Sequence, residues 1–395
     1  MMFDKAYFDQ QTSRVNTNSM KWDEEPSAYP LWVADMDFRT APCIIEALKR
    51  RVEHGIFGYT FVPDAYFNAT IEWFKRRHRW TIDRNHIIYT SGVVPAISAI
   101  LKAVTKPGDK VIVQTPAYNC FFSSIRNNGC RLLANKLIEK DGRYEMDFDD
   151  LSVKASDPEA KVMILCNPHN PVGRVWSADE LARVAEICRR NDVFVISDEI
   201  HCELTYENHN YTPYASLDAD VARASAVCVS PSKAFNIAGL QIANIVAADK
   251  IVRQKIDRAI NDNEVCDVNP FGVIATIEAY SRGEQWLDGL RSYLWDNYLF
   301  IKDFFSRNFP QYPVTELEGT YLAWINVRQS GLSGKEFCRQ LNESTGVRLN
   351  DGEMYGPGGE DFVRLYFACQ RKVLEEALTH MLNFKSRLDN KNIVL

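Results

Sequence analysis

The chain has 395 residues, of which 46% are apolar and 25% charged, and its net charge is −6. That length supports one large domain plus a smaller one, with a substantial core. The acidic balance gives no electrostatic drive toward nucleic acid or an anionic membrane, and no apolar run reaches the ~20 residues that cross a bilayer.

The opening stretch, Met1 to Gln10, is polar and carries Asp4, Lys5 and Asp9, so it lacks a signal-peptide core and a cytoplasmic location is expected. The chain starts directly in a small-domain pattern, with no DNA-binding segment expected ahead of it. The ten cysteines include no C-x-x-C pair and read as buried thiols in a reducing compartment, not as disulfides or metal ligands. The basic cluster Lys75-Arg76-Arg77-His78-Arg79 reads as a solvated helix face.

Thr90-Ser91-Gly92 precedes a helical apolar pattern at Ala96, Ile97, Ile100, Leu101 and Val104. A glycine there permits close backbone approach, and a helix start offers free N–H groups to an anion. Four later segments share one design. Val/Ile-rich runs at 110–114, 161–166, 193–196 and 226–229 lead into Tyr118, into Asn167-Pro168-His169-Asn170-Pro171, into Asp198 with His201, and into Ser230-Pro231-Ser232-Lys233. Continuous apolar runs of this kind are strands covered on both faces. Between the second and third, Ser177 and Glu180 have capping-box spacing before a helical pattern at Leu181, Val184, Ala185 and Ile187. Strand, helix and strand in repetition imply an α/β fold with a mostly parallel sheet, whose ligands bind beyond the carboxyl ends of the strands. From about residue 285 a smaller α+β unit follows. It has a helix over 286–305, strands at 321–325 and 362–367, a Gly/Pro-rich loop at 352–359 and a closing helix over 374–388.

Lys233 ends an apolar run, where a charged amine is costly unless it is neutral, paired or covalently modified. With serines at 230 and 232 beside it, it reads as a Schiff-base lysine next to a phosphate. Asp198, also at a strand end, needs a cationic or N–H partner. Pyridoxal 5'-phosphate asks for such a set: Lys233, a carboxylate for the ring nitrogen (Asp198), a phosphate cup (Gly92, Ser230, Ser232), a stacking ring (Tyr118) and a donor to the ring hydroxyl (Asn170). No metal site is expected.

The chain resembles the aspartate-aminotransferase fold-type class of pyridoxal-phosphate enzymes over nearly its whole length. Within that class it resembles the cystathionine β-lyases and cysteine C–S lyases of the MalY, PatB and cystalysin type. The matching stretches are Leu31-Trp32-Val33-Ala34-Asp35-Met36-Asp37-Phe38, Gly58-Tyr59-Thr60, Gly92-Val93-Val94-Pro95, the stretch 167–176 from Asn167 to Trp176, Ser197-Asp198-Glu199-Ile200-His201, and the stretch 232–240 from Ser232 to Leu240.

The resemblance implies a large domain over 46–285 and a small one from 1–45 with 286–395. It implies that Lys233 binds the cofactor and moves protons, with Gly92, Val93, Val94, Ser230 and Ser232 near the phosphate. It also implies that Tyr59 reaches the phosphate of a neighbouring subunit in a homodimer, and that Arg364, Asn170 and the backbone of Ala34 bind the substrate. Two departures from the aminotransferase pattern fit the lyase branch. His201 stands where a tyrosine usually touches the ring hydroxyl, and Gln241 where an arginine usually binds the phosphate. The activity implied is α,β-elimination from L-cystathionine or another L-cysteine S-conjugate. An aminotransferase of the same fold is the alternative, and a regulatory protein acting by protein contact is the alternative from another class. Trp32, Tyr59, Tyr118 and Tyr321 are expected to line an aromatic pocket for a sulfur substituent.

Overall fold

The computed structural model describes residues 3–24, 27–206, 208–262, 264 and 267–392, with side chains described as far as 384. Cys266 and the side chains of the closing helix from 385 on lie outside the described residues.

Seven strands form the main sheet: β1 (Ile87–Thr90), β2 (Lys110–Thr115), β3 (Arg131–Lys136), β4 (Ala160–Cys166), β5 (Phe194–Asp198), β6 (Ser225–Val229) and β7 (Ala243–Val246). Their order is β1-β7-β6-β5-β4-β2-β3. All pairings are parallel except those of β7, which runs antiparallel to both β1 and β6. The four Val/Ile runs read from sequence are β2, β4, β5 and β6. The strands β1, β3 and β7 escape that reading because they are short or, in β3, half exposed.

Side-chain alternation along each strand sorts the core into two layers. Val111, Val113, Val162, Ile164, Ala226 and Cys228 pack with Ile97, Ile100 and Leu101 of the helix Val93–Val104 on one face. On the other face Ile112, Met163, Leu165, Val195 and Val227 join Leu181, Val184 and Cys188 of the helix Ala178–Arg190. That helix begins with the capping box foreseen: Ser177 Oγ accepts from the Glu180 amide (3.1 Å), and Glu180 Oε2 accepts from the Ser177 amide (2.8 Å).

A second sheet of three antiparallel strands holds β8 (Leu322–Asn326), β9 (Asn350–Asp351) and β10 (Phe362–Tyr366), with β10 in the middle. Helices Glu284–Asn308, Gly334–Thr345 and Arg371–Asn392 accompany it. Trp324 and Arg364 are direct partners across β8 and β10.

The basic cluster differs from expectation. Lys75, Arg76 and Arg79 are exposed, but Arg77 and His78 turn inward. Arg77 Nε (3.2 Å) and His78 Nε2 (2.6 Å) both meet the carboxylate of buried Glu203, which also accepts from Trp73 Nε1 at 2.6 Å. A carboxylate removed from water requires such donors, and this demand outweighs the hydration of the two side chains.

Candidate active site

The carboxyl ends of β2, β4, β5 and β6 converge on one cleft, and β10 of the small sheet faces it. Lys233 sits on the turn after β6. Its Nζ donates to the carbonyl of Ala34 at 2.7 Å, and the Tyr321 hydroxyl donates to the same oxygen at 3.0 Å. Burial lowers the Lys233 amine from its ordinary value. Arg364 adds to the depression, while Asp35 and Asp198 oppose it without reversing it.

Asp198 closes β5 and is buried; its carboxyl accepts from the Ile200 amide at 3.1 Å. Burial pushes that carboxyl up to about 7, against the Ile200 bond and the attraction of Lys233. The rise is equivalent to about 4 kcal/mol, well beyond the ~1 kcal/mol net of one amide hydrogen bond. A cation brought to this carboxylate would reverse the balance.

Arg364 is buried on β10. Nη1 donates to Asn170 Oδ1 (3.1 Å) and Nη2 to the Trp32 carbonyl (3.0 Å), while Nε has no hydrogen-bond partner. The Trp32 carbonyl also accepts from Asn350 Nδ2 at 3.0 Å. His201 is buried with Nδ1 unpartnered, its ring 5.7 Å from that of Tyr321. Burial drives the imidazole down to about 3, aided by Lys233 and Arg364, so it is neutral at ordinary pH. Burial likewise raises the phenol of Tyr118, which feels both Arg364 and Asp198 and so belongs to the same cleft.

Ser230 Oγ donates to the Ile242 carbonyl (2.6 Å) and accepts from the Ser232 amide (3.1 Å), which folds the lysine turn back on β6. Gly92 caps the helix Val93–Val104. A β-carbon there would meet only Pro95, at 3.4 Å, so the other side of the residue is open to an approaching group. The amides of Val93 and Val94 open that helix and have no carbonyl within it.

These features suit pyridoxal 5'-phosphate. Two buried nitrogens lack partners, a buried carboxyl calls for a cation, and helix-start amides adjoin a serine pair, all beside a depressed lysine. Gln241 is exposed, at a left-handed φ of 50°. Of the four aromatics expected in the pocket, Tyr321 and Tyr118 are tied to this cleft within the single chain. Trp32 contributes its carbonyl, while its ring lies 3.7 Å from the Arg348 guanidinium. Tyr59 is 98% exposed, in a stretch that also exposes Ile56, Phe57 and Phe61. Sequence reasoning gave no role to Asn236, Asn350 or Tyr355. Asn350 Nδ2 donates to the Tyr355 hydroxyl at 3.1 Å, and the Arg364 guanidinium lies 5.0 Å from the Tyr355 ring.

The profile of the aminotransferase class I and II family matches residues 30–381. The chain belongs to that family. It is 42% identical to cystathionine beta-lyase PatB of Bacillus subtilis (strain 168), over 94% of this chain and 97% of that protein. It is 34% identical to Protein MalY of Escherichia coli (strain K12), over 97% and 98% of the two chains. Among solved structures, cystalysin from Treponema denticola, which contains a pyridoxal 5'-phosphate cofactor, superposes with a TM-score of 0.94. Its identity to the chain is 34%, with 96% of this chain and 99% of that chain covered. The fold is therefore the pyridoxal-phosphate-dependent aminotransferase-like α/β fold.

Proposed function

We propose that the chain is a pyridoxal-5'-phosphate-dependent C–S β-lyase that cleaves L-cystathionine and related L-cysteine S-conjugates. The observation that carries this reading is the meeting of Lys233, Asp198, Asn170 and Arg364 in one cleft, on a chain 42% identical to a cystathionine β-lyase.

The bound cofactor supplies an electron sink for the substrate's α-carbon. Asp198 would pair with a protonated ring nitrogen, and its carboxyl would then hold its charge. Ser230, Ser232 and the amides of Val93 and Val94 hold the phosphate, without the arginine that Gln241 replaces. Tyr118 would stack on the ring, and Asn170 would donate to the ring hydroxyl. His201, neutral and with a free nitrogen, lies on that side. Arg364 takes the substrate carboxylate in a charge-assisted contact, with the Ala34 backbone beside it. Lys233, whose burial favours the neutral amine, removes the α-proton and delivers a proton to the leaving sulfur. The C–S bond breaks, and with one water the products are a thiol, pyruvate and ammonia.

Tyr59 acts on a neighbouring subunit in this reading, so the working unit is a homodimer. Its exposure beside Ile56, Phe57 and Phe61 supports that arrangement. The division into residues 46–285 and 1–45 with 286–395 belongs to the same proposal and is supported by the separation of the seven-stranded sheet from the three-stranded one. A cytoplasmic setting is supported by the nine cysteines of the described residues, all of them free. No helix among the described residues is long and apolar enough to cross a membrane.

The test is pyruvate release from L-cystathionine. It should scale with enzyme and vanish in Lys233→Ala. Amino transfer to an oxo acid without pyruvate would make the protein an aminotransferase, and absence of an absorbance band after incubation with pyridoxal phosphate would favour a regulatory role.

A further inference from the structure

The segment from Trp32 to Phe38 gives its backbone to the site at two points: the Trp32 carbonyl to Arg364 and the Ala34 carbonyl to Lys233 and Tyr321. Most of its other ties run away from the lysine turn. Arg14 binds Asp35 and Asp37, buried Lys21 binds Asp37 at 2.6 Å, and Gln370 Nε2 donates to the Asp37 carbonyl at 2.9 Å. Besides the Lys233 amine, one side chain of the described lysine turn bonds to the segment. Asn236 Oδ1 accepts from the Met36 amide (2.9 Å), and its Nδ2 donates to the carbonyls of Met36 (2.9 Å) and Phe38 (2.8 Å).

An amide side chain alone can accept from one peptide and donate to two others in this way; a carboxylate would face both carbonyls with lone pairs. Asn236 also sits at a left-handed φ of 53°, a conformation that asparagine tolerates and most residues resist. It lies three residues after Lys233 on the same turn, whose amides of Phe235 and Ile237 bond back to Pro231 and Ser232. The turn is therefore a short rigid arm with the amine at one position and the clamp at another.

We propose that Asn236 is a positioning residue that fixes the Trp32–Phe38 segment against the lysine turn, setting the Ala34 carbonyl on Lys233 and the Trp32 carbonyl on Arg364 together. The proposal rests on the reading of Lys233 as the reacting amine. Without Asn236, the segment stays folded through Arg14, Lys21 and Gln370 but loses its register with the amine.

Asn236→Gly removes the three bonds and accepts the left-handed φ, and Asn236→Asp keeps the φ preference while setting a carboxylate against two carbonyls. Both variants should keep a wild-type melting temperature to within a few degrees. In both, KM should rise and kcat fall, each by about tenfold, because one segment serves both Arg364 and Lys233. In cofactor-free protein, acylation of Lys233 read by peptide mass mapping should be about tenfold faster, as the amine loses its acceptor and its cover. Wild-type melting with wild-type labelling and kinetics would overturn the proposal. Should the variants not fold, hydrogen exchange of the wild-type enzyme decides: the Met36 amide must exchange slowly, and still slowly in Lys233→Ala, and free exchange in either refutes the clamp. Retained pyruvate release in Lys233→Ala would instead sink the reading of the lysine, leaving the labelling and exchange results to stand on their own.

Discussion

Arg364 and Asn170 lie 194 positions apart in the chain, and Nη1 of the arginine donates to Oδ1 of the asparagine at 3.1 Å. Nη2 is committed to Trp32, and Nε is buried without a hydrogen-bond partner. The guanidinium is thus already oriented before any carboxylate arrives. Arg364→Lys keeps the charge but loses the planar fork that makes these contacts. We expect kcat/KM for L-cystathionine to fall by roughly 10²-fold, mostly through KM, on the scale of truncating a buried charged pair. An unchanged KM would remove Arg364 from carboxylate binding.

Asp198 gives a pH signature in cofactor-free protein. Its folded value, about 7, lies above the 3.8 of the free side chain, so the folded state holds its proton longer than the unfolded one. The cost to folding is absent below about pH 4, grows between pH 4 and 7, and is constant above. Asp198→Asn should therefore stabilise cofactor-free protein at pH 8 by up to about 4 kcal/mol and hardly at all at pH 4. Urea melts at the two pH values measure the difference.

Glu203 behaves in the opposite sense. Burial alone would raise its carboxyl, but His78, Arg77 and Trp73 outweigh burial and hold it below its ordinary value. Its contribution is present above that ordinary value and is lost as the pH falls through the depressed one. Glu203→Gln should cost about 3 kcal/mol at pH 7, on the scale of breaking a buried ion pair, and progressively less in acid. An equal cost at pH 7 and pH 3 would contradict the ion pairing.

The exposed stretch around Tyr59 bears on assembly. Sedimentation of the wild-type protein should give a dimer, and Phe61→Asp, a charge on a 79% exposed ring, should shift it toward monomer with loss of activity. A fully active monomer would remove Tyr59 from the site.

The strand ends were legible because their signal is local. A Val/Ile run stops and polar residues begin, and Lys233 is conspicuous there because a cation has no cheap place at such an end. The capping box at Ser177 was legible for the same reason. What stayed hidden depends on distant chain. The antiparallel direction of β7 leaves no mark on its four residues. The Trp32 and Ala34 carbonyls are peptide groups that every residue carries, so no letter of the sequence marks them. The Gly/Pro-rich stretch at 352–359 reads as a loop, but not that a β-carbon on Gly352 would collide with the Gly359 carbonyl. The inward turn of Arg77 and His78 follows from Glu203, which lies 125 positions from His78 and only meets it in the fold.

The Ala34 carbonyl opposite Lys233 has a consequence for how this site can change over generations. A side-chain acceptor can be lost in one codon, but a main-chain acceptor survives every substitution at its own position that spares the local backbone. Residue 34 can thus drift in size and polarity, retuning what lies near Lys233, while the lysine keeps its anchor. Alanine scanning would pass over this contact without registering it. Replacing the peptide linkage itself, or releasing the segment from the turn, is what would expose it.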